Sequence, residues 1–460
     1  MIRNARRRGQ AAVIAAAFGA AVLMPTASEA APKPKPKISA KKLTYGPSAA
    51  AVAAADTYAP TDNFTATWQR ADALKVRQDA TNTTPRIPEN FPVMTDEVWI
   101  WDTWPLTGLD TVPITYKGWK VIFSLTAPRD IPFGDRHWVA KIGYFYSKDG
   151  RSWKYGGHVF PEGYSLGSRE WAGTAIMTGT NTVNAFYTAS GTDNGGVNPN
   201  DPLQRLAMST GRIQADAKGV WFEGFRNHRI IAEPEGTMYQ TLEQSQSGPI
   251  IYAFRDPFVF RDPKDGKVYA LFEGNTGGVA GTYECNNRDL GSLPPGHVVP
   301  EESNLYTGNI GLMEATNANL TRWKLLPPVL SANCVNQQTE RPHLVMRDGK
   351  YYLFTISHMF TYAPGLTGPD GVYGFVGPSL RSDYQPLNGS SLVIGNPPDA
   401  PLQQYSHEVL PNLMVQSFID TVPTAAGGVK FGGTLAPTLQ MQIKGANTYL
   451  TRVLPFGYIP

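Results

Sequence analysis

The stretch RDPFVFRDPKDGKVYALFEG, residues 255–274, combines a charged pair, a proline, an apolar run, an Asp-Gly turn and a second, aromatic-rich run. The stretch ERPHLVMRDGKYYLFTIS, residues 340–357, repeats this order and again places Asp-Gly between the two runs. Asp-Gly between two apolar runs is typical of a tight β-hairpin. The chain is therefore predicted to repeat a hairpin whose charged residues lie at the start of its first strand, which we call the entrance of the unit.

Further short apolar and aromatic runs, separated by Gly, Asp, Asn and Pro, occur from residue 95 onward. Residues of this kind favour strands, and the intervening residues favour turns. We predict strands at KVIFSLTA (120–127), KIGYFYS (141–147), VNAFYTAS (183–190), VYALFEG (268–274), YYLFTIS (351–357) and YGFVGPS (373–379). The fold class is accordingly all-β.

Polar entrances of the same type also occur at WDTWPL (101–106) and REWAGTA (169–175). The four acidic residues at these entrances are Asp102, Glu170, Asp256 and Glu340, separated by 68, 86 and 84 residues. A fifth unit is expected to start near Tyr405. Repeated four-stranded units predict a five-bladed β-propeller, in which the first strand of every blade lines a central channel.

The N-terminus differs in composition from the rest of the chain. Residues 1–30 carry four arginines, an apolar stretch and small residues at the end, which is typical of a secretory signal peptide. Residues 31–59 contain a tract rich in proline and lysine, typical of a flexible linker. Residues 60–460 are predicted to form the catalytic propeller, and ATWQRADALKV (66–76) within it is predicted to be a short helix with Thr65 as its cap.

The net charge of +3 arises in the N-terminal segments. Residues 1–30 alone carry four arginines and one glutamate, and five lysines follow in the next twelve residues, so the body of the chain is mildly acidic. A body of this kind has no basic surface for nucleic acid or anionic lipid. We expect no nucleic-acid partner, and no membrane association after the signal is removed.

Asp102 lies between Trp101 and Trp104, where a carboxylate needs either partners or a shifted pKa. The alternative is an aspartate that caps a turn at a strand end. Arg255 lies beside Asp256, and Arg341 lies beside Glu340. Each arginine can hold a carboxylate in place or bind sugar hydroxyls, although an ion pair with a purely structural role would give the same sequence pattern. Several carboxylates at one channel favour glycoside cleavage, which requires two of them.

Cys285 and Cys334 are the two cysteines of the chain. In an exported protein they can close one bridge, but spacing alone leaves two free buried thiols as the alternative. The seven histidines follow neither H-E-x-x-H nor H-x-H spacing, so catalytic zinc is not expected.

Several strings in order resemble glycoside hydrolase family 68, the levansucrases, inulosucrases and related β-fructofuranosidases. The resemblance spans about residues 90–455 and is closer to the enzymes of Gram-negative bacteria. The strings are WDTWPL (101–106), EWAGTA (170–175), FRDP (254–257), TERPH (339–343), YQPLNGSSLV (384–393) and VQSFID (415–420). The resemblance implies a five-bladed propeller with a deep acidic pocket.

Carried over by position, the resemblance implies that Asp102 is the nucleophile, Asp256 stabilises the transition state and Glu340 is the general acid/base. The residues it implies for substrate binding are Trp101, Trp171, Ala172, Arg255, Gln338 and His358. Ala172 stands where relatives often have serine, and Gln338 where many have glutamate. His358 matches the Gram-negative enzymes.

The resemblance further implies a retaining fructosyltransferase with sucrose as donor and with fructan, another sugar or water as acceptor. It implies a Cys285–Cys334 disulfide where Gram-positive relatives hold calcium, so no metal and no cofactor are expected. A β-fructofuranosidase that mainly hydrolyses sucrose, an inulosucrase, or a carbohydrate-binding propeller without catalysis are the alternatives. We expect a monomer that is secreted, extracellular or periplasmic.

Overall fold

A computed structural model describes residues 63–192 and 201–460, which are rich in strands, and the prediction of an all-β chain is confirmed. The predicted signal peptide (1–30) and linker (31–59) lie outside the described residues. The chain begins with a two-residue strand, β1 (Ala66–Thr67), and a short helix, α1 (Arg70–Ala73).

The strands that follow form five successive antiparallel units, which we call meanders 1 to 5. Meander 1 comprises β2 (Val98–Thr107), β3 (Thr115–Tyr116), β4 (Trp119–Pro128), β5 (Lys141–Ser147) and β6 (Lys154–His158). Meander 2 comprises β7 (Arg169–Met177), β8 (Thr182–Ser190), β9 (Gln204–Ala215) and β10 (Val220–Ala232). A short parallel pairing of Leu106–Thr107 with Ala175–Ile176 joins these two meanders into one nine-stranded sheet.

The other three meanders are separate five-stranded sheets. Meander 3 comprises β11 (Phe254–Arg261), β12 (Val268–Asn275), β13 (Thr307–Ala315) and β14 (Trp323–Asn333), with β1 added at its edge. Meander 4 comprises β15 (Glu340–Arg347), β16 (Lys350–Ser357), β17 (Gly371–Gly377), β18 (Gln385–Pro386) and β19 (Leu392–Gly395). Meander 5 comprises β20 (Gln404–Val409), β21 (Met414–Pro423), β22 (Val429–Leu435), β23 (Pro437–Lys444) and β24 (Asn447–Phe456).

Helical structure in the described residues is confined to short connections. A second helix, α2 (Asn287–Leu290), lies between β12 and β13 and is capped by the side chain of Asn286. The 3-10 turns are Phe133–Val139, Glu301–Leu305, Met359–Thr361 and Leu387–Gly389.

The predicted helix over residues 66–76 is wrong at both ends. Ala66–Thr67 is a strand that pairs in parallel with Leu330–Ser331, and only Arg70–Ala73 is helical. The Thr65 hydroxyl donates to the Pro328 carbonyl at 2.7 Å and does not cap the helix. These tertiary contacts with meander 3 override a helical pattern that was too short to be stable on its own.

The two hairpins predicted from the repeat are confirmed as β11–β12 and β15–β16. Asp348 occupies the left-handed region with φ of 53°, as do the turn glycines Gly266 at 74° and Gly349 at 71°. Apolar side chains fill the space between neighbouring meanders. Phe186 of meander 2 and Phe272 of meander 3 belong to one buried cluster. Each fully buried side chain of this size contributes about 1.5–3 kcal/mol.

The first strand of every meander contains a β-bulge close to its start. The pairing register shifts between Trp101 and Thr103, Trp171 and Gly173, Arg255 and Phe258, Glu340 and His343, and Tyr405 and Glu408. Four bulge residues have positive φ, namely Asp102 (45°), Asp256 (61°), Arg341 (43°) and Ser406 (56°). Bulges redirect side chains and are frequent next to active sites. The bulge therefore changes the direction of the side chains at the same point in each of the five first strands.

Candidate active site

Arg255 connects three carboxylates on two meanders. Its Nη2 lies 3.0 Å from Oε1 of Glu340, and its Nε lies 2.7 Å from Oε2 of Glu273 and 3.9 Å from Oδ2 of Asp256. Burial alone would lower the pKa of Arg255, but Glu273, Glu340 and Asp256 together raise it. The guanidinium is therefore a fixed positive charge at the centre of an acidic cluster.

Asp256 is held at its bulge by two backbone contacts. Its amide donates to Oγ1 of Thr188 at 2.9 Å, and its Oδ2 accepts from the amide of Arg341 at 3.3 Å. Burial raises the pKa of Asp256 to about 7; Arg255 opposes the rise, and the charge of Asp102 adds to it. A rigid carboxyl group with a pKa near neutrality can accept or donate hydrogen bonds to a bound ligand.

Asp102 is deeply buried, and burial raises its pKa. The charge of Arg341 and a hydrogen bond from Ser406 oppose that rise and favour the anion. Arg341 is itself fixed by donating to Ser406 Oγ at 2.5 Å, to the Thr103 carbonyl at 3.0 Å and to Glu408 Oε2 at 3.1 Å. Asp102 therefore lies in a buried position where a cation opposes its protonation, an environment compatible with a nucleophile.

Glu340 is the first residue of β15, and both of its carboxylate oxygens have partners. Oε1 accepts from Arg255, and Oε2 accepts from the hydroxyl of Tyr405 at 2.6 Å. The backbone carbonyl of Glu340 accepts from Thr355 on the neighbouring strand β16 at 2.9 Å. The side chain remains 16% exposed, so a ligand can reach this carboxylate.

The charges of Asp102, Asp256 and Glu340 influence one another, which places the three carboxylates of the sequence prediction in one cluster. The fourth acidic entrance, Glu170, is not part of it. Glu170 accepts from the amide of Ile142 at 2.8 Å and lies 3.9 Å from Lys141, between meanders 1 and 2.

Indole rings lie beside the cluster on meanders 1 and 2. Trp101 is buried next to Asp102 and packs edge-on against His137, with ring centroids 5.4 Å apart. Trp171 is half-buried, and its Nε1 donates to the carbonyl of His137 at 3.4 Å. Ala172 is buried at the bulge of β7, and its carbonyl accepts from Thr188. These residues form an apolar side to an otherwise charged cluster.

His358 lies just after β16 and contacts Tyr405 of meander 5. Its ring stacks on Tyr405 with centroids 3.7 Å apart, and its Nδ1 lies 2.7 Å from Oδ2 of Asp370. Burial opposes protonation, but Asp370 and Glu340 raise the pKa of His358 to about 9. The imidazole is therefore a cation at neutral pH, next to the carboxylate of Glu340.

Gln338, two residues before Glu340, is held by its backbone. Its amide donates to Asn336 Oδ1 at 2.9 Å, and its carbonyl accepts from Ser357 at 2.9 Å. The side-chain carbonyl oxygen of Gln338 is buried and has no hydrogen-bond partner within the described part of the chain. It can therefore accept a hydrogen bond from a bound ligand.

Several functional neighbours were missed by reasoning from the sequence. Tyr405 was placed only as the start of a fifth unit, and Glu273, Asp370, Ser406 and Glu408 were not singled out. Aligning the five first strands at their bulges would have indicated Tyr405 and Ser406. Glu273 and Asp370 lie on later strands or loops, where no repeated motif marks them.

Cys285 and Cys334 are bonded to each other, with Cα atoms 6.0 Å apart, and so connect the segment before α2 to the end of β14. In residues 63–192 and 201–460, no group of three or more His, Cys, Asp or Glu side chains is arranged to hold a metal ion. Over the same residues, no helix has the length and apolarity needed to cross a membrane.

Comparison with known proteins gives a consistent result. Residues 58–460 match the family described as Levansucrase/Invertase, glycoside hydrolase family 68. The chain is 45% identical over 404 residues to an extracellular sucrase of Zymomonas mobilis, covering 86% of this chain and 96% of that protein. It is 45% identical over 417 residues to a levansucrase of Rahnella aquatilis, covering 86% and 97%. The catalytic domain of a β-fructofuranosidase from Microbacterium saccharophilum superimposes with a TM-score of 0.80 at 40% identity, covering 88% and 96%.

Proposed function

Because this chain belongs to glycoside hydrolase family 68, the levansucrases and invertases, we propose that its buried acidic cluster cleaves sucrose and transfers the fructosyl unit. The levansucrase and sucrase relatives, at 45% identity over most of the chain, support a levansucrase-like fructosyltransferase that also hydrolyses sucrose. The main support for the proposal is that the guanidinium of Arg255 pairs with both Asp256 and Glu340, at the bulges of meanders 3 and 4.

Asp102 is the nucleophile in this proposal. It is buried, it lies beside a fixed arginine, and its bulge turns the carboxylate out of the strand pairing. In the first step Asp102 attacks the anomeric carbon of the fructosyl unit, and a covalent fructosyl-enzyme forms with inversion. The bond between that carbon and the glycosidic oxygen breaks, and its electron pair goes to the oxygen.

Glu340 is the general acid/base. It gives a proton to the departing oxygen, so glucose leaves as a neutral sugar. In the second step Glu340 takes the proton of an acceptor hydroxyl, whose oxygen displaces Asp102 with a second inversion. Water as the acceptor yields fructose, and a sugar hydroxyl yields a longer fructoside. The configuration at the anomeric carbon is therefore retained.

Asp256 stabilises the transition state in this scheme. Its carboxyl group is fixed by the amide of Arg341 and lies near the charges of both other carboxylates. A fixed carboxyl that binds ring hydroxyls strengthens those bonds as positive charge develops on the sugar ring. Trp101, Trp171 and Ala172 form the wall beside the fructosyl unit.

The glucosyl unit, and later the acceptor, is proposed to contact His358 and Gln338. His358 is a cation with its ring plane set by Tyr405 and its Nδ1 held by Asp370. Gln338 supplies a buried carbonyl oxygen that lacks a partner in the described residues.

We further propose that the five meanders are the blades of a five-bladed propeller. The five equivalent bulges and the buried clusters between neighbouring meanders support this arrangement. A propeller explains why the first strands of separate sheets bring their bulges to a common pocket. A secreted location for a monomeric enzyme is proposed on the signal-like sequence, and the relative named extracellular sucrase supports secretion.

The second candidate function is an invertase-like enzyme that transfers fructosyl units mainly to water. It is favoured by the similarity to a β-fructofuranosidase and an extracellular sucrase. The decisive experiment incubates the purified protein with sucrose and measures free glucose and free fructose. We expect glucose to exceed fructose, with the difference present in fructosides. Equal amounts would establish the hydrolase, and no glucose release would refute both.

A further inference from the structure

Glu408 is a buried carboxylate on β20, the first strand of meander 5. It ends the bulge of that strand, because Tyr405 pairs with Phe418 and Glu408 pairs with Gln416, which leaves two residues of β20 opposite one residue of β21. Its Oε2 accepts a hydrogen bond from Nη2 of Arg341 at 3.1 Å. The proposed reaction scheme gives this carboxylate no part in the breaking or making of bonds.

The guanidinium of Arg341 donates to oxygens of two other meanders. Nη1 donates to the carbonyl of Ser406 at 3.2 Å and to its Oγ at 2.5 Å. Nη2 donates to the Thr103 carbonyl at 3.0 Å and to Glu408. Glu408 is the carboxylate among these four acceptors, and an ionised acceptor binds a guanidinium more strongly than a carbonyl or hydroxyl oxygen does. Glu408 therefore contributes strongly to the orientation of the Arg341 side chain.

The position of this guanidinium affects two carboxyl groups of the acidic cluster. Burial raises the pKa of Asp102 and of Asp256, and the charge of Arg341 opposes the rise at both. Ser406, whose Oγ accepts from Arg341, donates its hydroxyl hydrogen to Asp102. One series of contacts therefore runs from Glu408 through Arg341 and Ser406 to the proposed nucleophile.

An ion pair that only joins meanders 4 and 5 is the alternative. Replacing a buried ion pair by well-packed apolar side chains is often neutral or stabilising, so stability alone is a weak reason for a carboxylate at this position. The Arg341–Glu408 pair also lies at the bulges of its two strands, where the proposed catalytic residues of the other meanders occur. Both considerations favour a role in the reaction.

We propose that Glu408 is a positioning residue for sucrose cleavage, holding Arg341 where its charge opposes protonation of Asp102 and Asp256. This inference rests on the proposed function and adds to it a residue that acts through another one. If Arg341 is held less firmly, its charge opposes protonation less, and both carboxyl groups take up a proton at higher pH. Less of the enzyme then has an ionised nucleophile at a given acidic pH.

The test compares Glu408→Ala with Glu408→Gln. Both variants lack the carboxylate charge, but glutamine keeps an oxygen that can accept from Arg341, so the difference between them measures the hold on Arg341 alone. Glucose release from sucrose gives kcat/KM across pH, and its acid limb reports protonation of the essential carboxylates. We expect kcat/KM at the optimum to be about 10-fold lower in Glu408→Ala than in Glu408→Gln. The acid limb of Glu408→Ala should lie about 0.5–1 pH unit higher.

Asp262→Ala is the matched control, because Asp262 is also a buried carboxylate but accepts from the Lys264 amide at 2.8 Å and from the Tyr351 hydroxyl, next to the turn between β11 and β12. It should cost stability without moving the acid limb. If Glu408→Ala does not fold, Glu408→Met, which keeps the volume without the acceptor, takes its place. Equal kcat/KM and coincident acid limbs in the alanine or methionine variant and in Glu408→Gln, or an equal shift in Asp262→Ala, would overturn the positioning role. A parent enzyme that releases no glucose would instead overturn the proposed function.

Discussion

The hydroxyl of Tyr405, on the first strand of meander 5, donates to Oε2 of Glu340 at the start of meander 4, at a distance of 2.6 Å. Burial and the neighbouring carboxylate both raise the pKa of Tyr405, so this hydroxyl keeps its proton and acts as a donor. Arg255 holds the other oxygen of Glu340. The side chain of Glu340, the proposed acid/base, is thus oriented from two sides by residues of different meanders.

Tyr405→Phe should lower kcat for sucrose about 10- to 100-fold, the effect expected when a hydrogen bond to a charged group is lost. The ring remains to stack on His358, so KM should change much less. Steady-state glucose release measures both constants. Tyr269→Phe is the control, because it removes a hydroxyl that donates to Asp265 in the turn between β11 and β12. Equal effects of the two variants would show that Tyr405 acts only through folding.

Asp102→Asn should abolish turnover while sucrose still binds, because the amide keeps the size of the side chain and removes the nucleophile. Glucose release measures turnover and titration calorimetry measures binding. Asp399→Asn is a suitable control, since Asp399 pairs with Arg86 on the surface. Retention of more than a few per cent of activity, in a preparation free of the parent enzyme, would exclude Asp102 as nucleophile.

The strands and hairpins were predictable because alternating apolar runs and Asp-Gly turns are local signals. KIGYFYS at 141–147 coincides with β5, and YGFVGPS at 373–379 is shifted by two residues from β17 (Gly371–Gly377). The convergence of Asp102, Asp256 and Glu340 was predictable because each lies near the start of the first strand of a repeated unit. The helix predicted after Thr65 was wrong because Ala66–Thr67 pairs as a strand with residues of meander 3 that lie more than 250 positions away.

Partners contributed by other strands were not predictable in the same way. Glu273 meets Arg255 because β12 pairs with β11 in a particular register, and Glu408 meets Arg341 across two sheets. A single sequence contains no local signal for such ion pairs. The bulges were equally hidden, since Asp102 and Ser406 have positive φ without being glycine.

Glu170 should make stability depend on pH. Burial raises the pKa of Glu170 to about 7, with Lys141 and the Ile142 amide opposing. A carboxyl whose pKa is raised on folding stabilises the fold fully below its unfolded value, near 4.5, and loses that contribution as pH rises through about 7. Unfolding in denaturant at several pH values measures this. Glu170→Gln should reduce the fall in the free energy of unfolding between pH 5 and 8 by on the order of 3 kcal/mol. An unaltered pH profile in this variant would contradict the assignment.

The Cys285–Cys334 bridge should stabilise the fold without serving catalysis. It spans 49 positions, for which chain entropy predicts about 4 kcal/mol. Replacing both cysteines by serine should lower the free energy of unfolding by that order, while glucose release at moderate temperature and in the presence of chelator stays near that of the parent. Peptide mapping without reductant should identify the linked pair. Two free thiols in that map would refute the bridge.

In the proposed mechanism Glu340 must be protonated in one step and ionised in the next, because it gives a proton to the departing glucose and later takes one from the acceptor. Loss of an acid is most damaging when the leaving group is a poor one. A sugar alkoxide needs protonation to leave, whereas an activated phenolate leaves without it. The two leaving groups therefore separate the acid role of Glu340 from a structural role.

Glu340→Ala should lose several orders of magnitude in kcat on sucrose but far less in the first step on an activated aryl β-fructofuranoside, whereas Asp102→Asn should be inactive on both. Rapid mixing can record the burst of phenol that precedes slow attack by water on the fructosyl-enzyme. Because Arg255 would lose one of its carboxylate partners, Glu340→Gln is included as the isosteric variant that keeps the neighbouring packing. Both substitutions should show the same contrast between substrates. An equal loss on the two substrates would show that Glu340 is not the acid that protonates the leaving group, and the assignment of TERPH (339–343) as the acid motif would fail.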